Sequence, residues 1–425
     1  MSIVETHRAI EAVWKIERAK LVAGLARFVR DVGVAEELAQ DALVAALERW
    51  PDAGVPTRPG AWLMATAKNR AIDRARRSRL AERKLQDVGY EAELEQSAPQ
   101  FDPDAALDDE VGDELLSLVF VACHPVLGPD ARVALTLRLL GGLTTEEIAR
   151  AFLVPETTLA QRIVRAKKTL ADANVPYETP RGADLAVRLP SVLEVVYLIF
   201  NEGYSATAGE DWVRPALCEE ALRLGRIVAE LAEGEAEVHG LVALMEIQAS
   251  RLKARTGRDG APILLLDQDR GRWDRVLIGR GLAALARAEG LGQTPGPYLV
   301  QAAIAACHAR APTAGDTDWT RIAGLYDLLA TIVPSPVVEL NRAVAHGMAF
   351  GPDVALPMVE ALEDDPALRA YHLLPSVRAD FLQKLGRHDE ARAAFERAAS
   401  MTANAREREL LLSRAAASAA SVPQA

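Results

Sequence analysis

Two stretches of this 425-residue chain carry side chains suited to nucleic acid. The first, residues 62–84, holds eight basic and two acidic residues. Leu63, Ala67, Arg70 and Arg74 fall one helical turn apart, which predicts a helix with an apolar and a cationic face. Clustered Arg and Lys give the salt-sensitive phosphate affinity of nucleic-acid binders. Asn69 is the polar side chain best suited to a base edge there. The plain alternative is a solvated basic helix.

The second stretch, residues 143–168, reads as helix–turn–helix. Thr144 can cap a first helix that holds Glu146 and Glu147 in its opening turn, where they complement the dipole. Ile148, Ala149 and Phe152 face inward. A three-residue turn follows, with Leu153 where such turns usually have glycine, and Pro155 opens a second helix. Ala149 lets the helices approach closely, and Leu159 and Ile163 lock the second onto the first. The outer face presents Thr157, Thr158, Gln161, Arg162 and Arg165, types that hydrogen-bond phosphates and base edges in a major groove. Lys167 and Lys168 extend its basic end. An ordinary helical hairpin is the alternative.

These segments sit in an unfavourable global charge. The chain carries −11, and an acidic protein ordinarily repels nucleic acid. The charge is segmented, however. Residues 1–84 hold 16 basic and 11 acidic side chains, residues 85–114 hold 11 acidic and no basic ones, and residues 115–172 hold seven basic and five acidic. Two basic segments thus flank an acidic bridge. Half the residues are hydrophobic and 26% are charged, as in a soluble globular protein. No apolar run approaches the roughly 18–20 residues of a membrane span, and the N-terminus has no signal pattern. Three cysteines (Cys123, Cys218, Cys307) cannot build a disulfide framework, and no C-x-x-C pair suggests zinc. The expected location is the cytoplasm, with no membrane partner.

The elements that must position these residues are helical throughout, which makes the fold class all-α. Val22, Leu25, Phe28 and Val29 mark one apolar face. Leu38, Ala42, Leu43, Ala46 and Leu47 mark another, stopped at Trp50-Pro51. The one strand-like run, residues 263–266, is short. Linkers are expected at 85–106, acidic with two prolines, and at 173–183, with two prolines and a glycine. They leave bodies at 1–84, 107–172 and 184–425. Residues 343–362 align with 379–398 at an offset of 36; Asp353/Asp389, Ala355/Ala391 and Glu360/Glu396 coincide. The second copy has the turn and helix spacing of a tetratricopeptide-like helix pair. Chance likeness between Ala-rich helices is the alternative.

The last body offers little chemistry. Asp267, Asp269, Arg270, Arg272, Trp273 and Asp274 cluster after an apolar run, and two close carboxylates could do acid–base work. No nucleophile motif, Gly-rich phosphate loop or His-x-x-x-His pair accompanies them, which favours a structural ion-pair loop. Residues 201–204 read as a helix end with Gly203 at the C′ position. His124 and His308 read as packed or surface histidines rather than metal ligands. No catalytic residue, metal or cofactor is expected.

Residues 36–47, the helix from Trp62 to Arg77 and the helix–turn–helix occur in an order and spacing that resembles bacterial RNA polymerase sigma factors of the extracytoplasmic-function type. The likeness covers residues 1–172 as two small helical domains, regions 2 and 4. Segments 191–204, 264–274 and 336–345 resemble the group with a long tetratricopeptide-like C-terminal extension. The resemblance implies roles. Glu37, Gln40, Asp41 and Val44 would dock on the β′ clamp of core polymerase, with the β flap as the second contact. The proline-rich loop at 52–60 and Trp62, Asn69, Arg70, Asp73, Arg76 and Arg77 would capture the melted −10 strand. Thr157, Thr158, Gln161, Arg162 and Arg165 would read the −35 element. The acidic linker would thread toward the polymerase cleft or fold back on the basic first domain, a solvated spacer being the plain alternative. Implied partners are core RNA polymerase, promoter DNA and a protein regulator of the extension. Two rival readings remain: a DNA-tethered enzyme or small-molecule sensor in residues 184–425, and a helix-turn-helix repressor. Two basic blocks favour the sigma reading, because a repressor needs one reading head.

Overall fold

A computed structural model describes residues 3–86, 109–152, 154–206, 212–257 and 260–420. The acidic linker beyond Gln86 and the turn residue Leu153 lie outside the described residues. The chain divides into two compact units, Met1–Val195 and Val196–Ala425. Among the described residues there is no strand; one isolated bridge joins Thr256 and Pro262.

In the first unit, α1 (Ile3–Val29), α2 (Val32–Ala53) and α3 (Pro59–Gln86) pack pairwise. Leu21, Val22 and Leu25 of α1, Leu38, Ala42 and Trp50 of α2 and Leu63 and Ala67 of α3 are buried where these three helices pack. Phe28 and Leu47, placed on these apolar faces by their spacing, stand 50% and 40% exposed. Asp31 caps α2, accepting from the Val34 amide at 2.9 Å. The helix does not stop before Pro51. It runs to Ala53 and ends where Gly54, at φ 81°, turns its N–H onto the Trp50 carbonyl. In the last turn proline removes only one helical hydrogen bond, from the carbonyl of the exposed Leu47, so it is tolerated there.

Helices α4 (Asp109–Ala122), α5 (Pro129–Leu139), α6 (Thr145–Ala151) and α7 (Glu156–Asp172) complete the second half of this unit. Thr144 and Glu147 cap α6 reciprocally: the Glu147 amide donates to Thr144 Oγ1 at 3.1 Å and the Thr144 amide to Glu147 Oε2 at 2.7 Å. Ile148, Ala149, Leu159 and Ile163 are buried between α6 and α7. Pro155 precedes the first residue of α7 rather than beginning the helix. The proline-containing segment after α7 is fastened to α4. Tyr177 donates to the Glu114 carbonyl at 2.8 Å, and Thr179 meets Ser117 at 2.9 Å. The first half of α8 (Ala183–Tyr204) is held in the same unit by Arg188, which donates to the Phe120 carbonyl at 3.0 Å, and by Arg132–Glu194 at 3.0 Å.

The second unit continues from α8 through α9 (Pro215–Leu231), α10 (Ala236–Ala249), α11 (Arg275–Gly290), α12 (Pro297–Arg310), α13 (Trp319–Ile332), α14 (Pro336–Phe350), α15 (Pro352–Glu360), α16 (Leu373–Lys384), α17 (His388–Met401) and α18 (Ala405–Ala420). Most of these helices pack on their neighbours in sequence, while α12 packs chiefly on α10. The repeat falls on two helix–turn–helix pairs, α14–α15 and α16–α17, and its paired Ala355 and Ala391 are both fully buried. Asn404 Nδ2 donates to the Ala206 carbonyl at 3.2 Å, which ties the start of α18 to the segment just beyond α8.

Two expectations about this unit change. Gly203 is not a helix terminus, because α8 runs on to Tyr204. A Cβ there would come within 2.7 Å of the Cys218 amide nitrogen, so glycine is required by the close approach of α9. The 267–274 cluster is structural, but none of its six residues forms an ion pair among the described residues. Asp274 caps α11 through the Val276 and Leu277 amides, at 2.9 and 3.1 Å. Asp269 accepts from the Gly271 amide at 2.9 Å. Arg270 is buried and donates to the carbonyls of His308 and Ala311, at 2.8 and 2.7 Å. The run at 263–266 is no strand; its end enters a 3-10 turn, Leu265–Asp267. His308 is buried against the Trp319 ring.

Replacing Gly203 by Ala should cost about 1–3 kcal/mol of stability, since the added methyl meets backbone that cannot give way. Chemical denaturation of the full chain checks this; an unchanged midpoint would show that α8 and α9 can separate freely.

Candidate nucleic-acid interface

Helix α3 distributes its residues over three faces because its period is 3.6. Leu63, Ala67 and Ala71 are buried. Trp62 is half-buried and meets the buried Trp50 edge-on at 5.3 Å, so its ring is shared with the core. Arg70 and Arg74 turn toward α2. Arg70 donates to the Asp41 carbonyl at 2.7 Å and lies 3.5 Å from its carboxylate; Arg74 meets Glu37 Oε2 at 2.7 Å. The third face carries Asn69, Asp73, Arg76 and Arg77, all exposed. Arg77 bends back to the Asp73 carbonyl at 3.3 Å, and among the described residues the Arg76 guanidinium has no hydrogen-bond or ion-pair partner.

On α2, Glu37, Gln40, Asp41 and Val44 share one exposed stripe at i, i+3, i+4 and i+7. Two of these four, Glu37 and Asp41, are the partners of Arg74 and Arg70. The structure therefore joins two sets of residues that the sequence assigns to different tasks. Such exposed pairs contribute about 0–1 kcal/mol each, so they are readily exchanged for contacts with a partner.

On α7, Thr157, Thr158, Gln161 and Arg165 are exposed on one face. Arg162 is less open, pairing with Asp130 of α5 at 3.3 Å. Thr158, Gln161, Arg162 and Arg165 border a shallow groove whose other wall is the turn from Val126 to Ala131. Lys168 is exposed, but Lys167 does not extend the basic end; it turns inward.

The destination of Lys167 is Glu36, which sequence reasoning left out of the site. Glu36 is 3% exposed, between α1, α2, α5 and α7. It receives Arg18 of α1 at 3.1 Å, Arg138 of α5 at 2.7 Å and Lys167 of α7, while Gln40 adds a bond at 3.3 Å. Burial by itself would raise the carboxyl. Lys167, Arg138 and Arg18 together outweigh it and hold the group below its ordinary value. The signal in the sequence was a glutamate on the otherwise apolar face of Val32, Ala35, Ala39 and Ala42.

The comparisons with known proteins follow this division. Residues 16–80 match the sigma-70 region 2 family and residues 117–170 match sigma-70, region 4. A probable ECF RNA polymerase sigma factor, SigI of Mycobacterium tuberculosis, is 29% identical over 40% of this chain and 57% of its own. The RNA polymerase sigma-H factor of Pseudomonas aeruginosa is 29% identical over 37% of this chain and 81% of its own. The chain carries the region 2 and region 4 domains of a sigma-70 factor and is homologous to sigma factors of the extracytoplasmic-function type.

The large C-terminal part of this sigma factor has its own match, residues 188–289, to a family of unknown function (DUF6596). A relative from Rhizobium meliloti, the uncharacterized protein R00370, is 43% identical over 92% of the sigma factor and 91% of its own length. No solved structure matches the factor. The sigma-70 family is not a class of enzymes. Among the described residues no helix is long and apolar enough to cross a membrane.

Changing Glu36 to Gln should destabilise the first unit strongly. It leaves Arg18, 5% exposed, without a countercharge, a loss of about 3–5 kcal/mol for a broken buried pair. The folded carboxyl lies below its ordinary value of 4.5, so its contribution is present above that pH and is lost as pH falls through the lowered value. A fluorescence-monitored denaturation series from pH 7 down to pH 3 checks both. A variant whose stability matches the parent at neutral pH would dismiss the cluster as an energetic contributor.

Proposed function

We propose that this sigma factor binds core RNA polymerase through the α2 stripe and places α3 and α7 on promoter DNA, where it directs initiation. The observation that carries the reading is the outward stripe Asn69, Asp73, Arg76, Arg77 on α3 together with the exposed α7 face Thr157, Thr158, Gln161, Arg165. Both are helical surfaces whose side chains can meet bases and phosphates, and both lie in the segments matching regions 2 and 4. Trp62, Asn69, Arg70, Asp73, Arg76 and Arg77 serve the −10 strand in this reading. Arg162 and Arg165 serve the −35 element with Thr157, Thr158 and Gln161. Glu37, Gln40, Asp41 and Val44 meet the β′ clamp, and region 4 meets the β flap. The factor works on the polymerase of the cytoplasm.

The second unit, with its tetratricopeptide-like helix pairs, acts as a regulatory body that a protein partner engages. The residues proposed as boundaries, 1–84, 107–172 and 184–425, remain the functional division, although 173–195 packs with region 4. Deleting the chain after Tyr204 keeps that packing and tests the regulatory role. Altered promoter-dependent run-off transcription, with promoter binding retained, supports it; unchanged transcription removes it.

For the −35 face, Arg165→Ala should weaken promoter binding more than Arg162→Ala, because Arg162 already has Asp130. A lost base contact costs about 1–3 kcal/mol, and a lost phosphate contact lowers the salt dependence by about one unit of slope. Core-polymerase binding should be unchanged in both. Run-off transcription and promoter-binding titrations with reconstituted holoenzyme measure this, and full activity of both variants would place recognition elsewhere.

A further inference from the structure

Four arginines are buried among the described residues: Arg18, Arg132, Arg251 and Arg270. Arg18 is neutralised by Glu36 and Arg132 by Glu194. Arg270 is satisfied by the His308 and Ala311 carbonyls and by Thr317 Oγ1 at 3.0 Å. Arg251 has none of this. It is 6% exposed, its Nε has no partner, and no carboxylate or carbonyl of a described residue meets its guanidinium. A buried cation without a countercharge is costly and is retained where something supplies the charge.

We infer that Arg251 and Arg255 form a binding site in the second unit for a small oxyanion, the phosphate or carboxylate group of a low-molecular-weight ligand. Arg255 stands one helical turn beyond Arg251, half-buried, with its Nε also unpartnered. It lies 3.8 Å from the centre of the Tyr204 ring and 5.3 Å from that of Trp212. Arg251 lies 5.8 Å from the Tyr204 ring and 5.8 Å from Trp273. These rings hold the two cations in place but neutralise neither. Like charges this close repel, and burial, with Arg255 adding to it, pushes the Arg251 guanidinium below its ordinary value. His308 nearby adds no third positive charge, since burial, Arg251 and Arg270 lower its pKa to about 3 and leave it neutral. Two guanidinium forks match the paired oxygens of a phosphate or carboxylate. At 6% exposure Arg251 lies beyond the reach of a duplex's phosphates, which selects a small ligand over DNA. Every residue of the site falls within 188–289, the segment matching the family of unknown function.

The site is independent of the promoter reading, and its test reads binding alone. The full-length factor is titrated with sodium phosphate and, separately, with sodium acetate, against chloride of equal ionic strength. Thermal midpoint and tryptophan fluorescence, reporting on Trp212 and Trp273, are followed together. The expected result is a saturable rise of several degrees with a saturable fluorescence change. Which of the two anions produces it separates phosphate from carboxylate. The Arg251→Gln/Arg255→Gln double variant should lose the response. General salt stabilisation would differ in being non-saturating and indifferent to the substitutions. Arg251→Met should raise the midpoint in anion-free buffer while losing the response, because it removes an unpaired buried charge. No saturable response to either anion, an equal response in the double variant, or a lowered midpoint of Arg251→Met without anion would each overturn the inference.

Discussion

One buried carboxylate organises the first unit of this sigma factor. Glu36 lies where α1, α2, α5 and α7 converge, and each of the other three helices sends it a cation. Regions 2 and 4 are separated in sequence by a strongly acidic stretch, yet this contact reaches from residue 18 to residue 167. A buried carboxylate is tolerable only with nearby positive charge, and three cations would repel one another without it. Each partner therefore requires the others. The tight packing of apolar side chains on either side, such as Leu38 and Ile163, accompanies this polar contact but does not select it over a shifted alternative. Hydrogen bonds to a charge are directional, so the cluster fixes the register of these four helices more tightly than apolar contact alone.

This arrangement also decides which charges are free for DNA. Lys167 is spent on Glu36, Arg70 and Arg74 on the α2 carboxylates, and Arg162 on Asp130. Among the described residues, Arg76 and Arg77 on α3 and Arg165 and Lys168 on α7 stay without a charged partner. The field toward a partner is therefore weaker than a count of basic residues suggests. The exposed pairs are held loosely enough to be traded for phosphates.

The second unit is built differently. Its helices come close because small residues stand at their contacts. Gly203 admits α9, and the Phe381 ring lies where a side chain on residue 347 would be. Ala355 and Ala391 repeat the same device in consecutive helix pairs. Against this economical packing, the buried Arg251 is out of character. Its surroundings are aromatic rather than acidic, which leaves its charge without a counterion among the described residues.

The sequence by itself determined what depends on neighbours along the chain. The helical class, the capping box at Thr144, the buried pair Leu159 and Ile163, and the exposed faces of α3 and α7 all follow from spacing and local hydrogen bonding, which act within a few residues. Tertiary structure alone decided what depends on distant partners. It turned Lys167 inward, shared the Trp62 ring with the core and placed Gly203 inside a helix. It made the 267–274 loop a set of caps and buried donors instead of an ion-pair network. It also brought Tyr204, Trp212, Arg251 and Trp273 together. A residue type and its period state which face of a helix it occupies, but not which other helix that face will meet. The charge partner of a side chain more than a hundred residues away is fixed only when the helices pack.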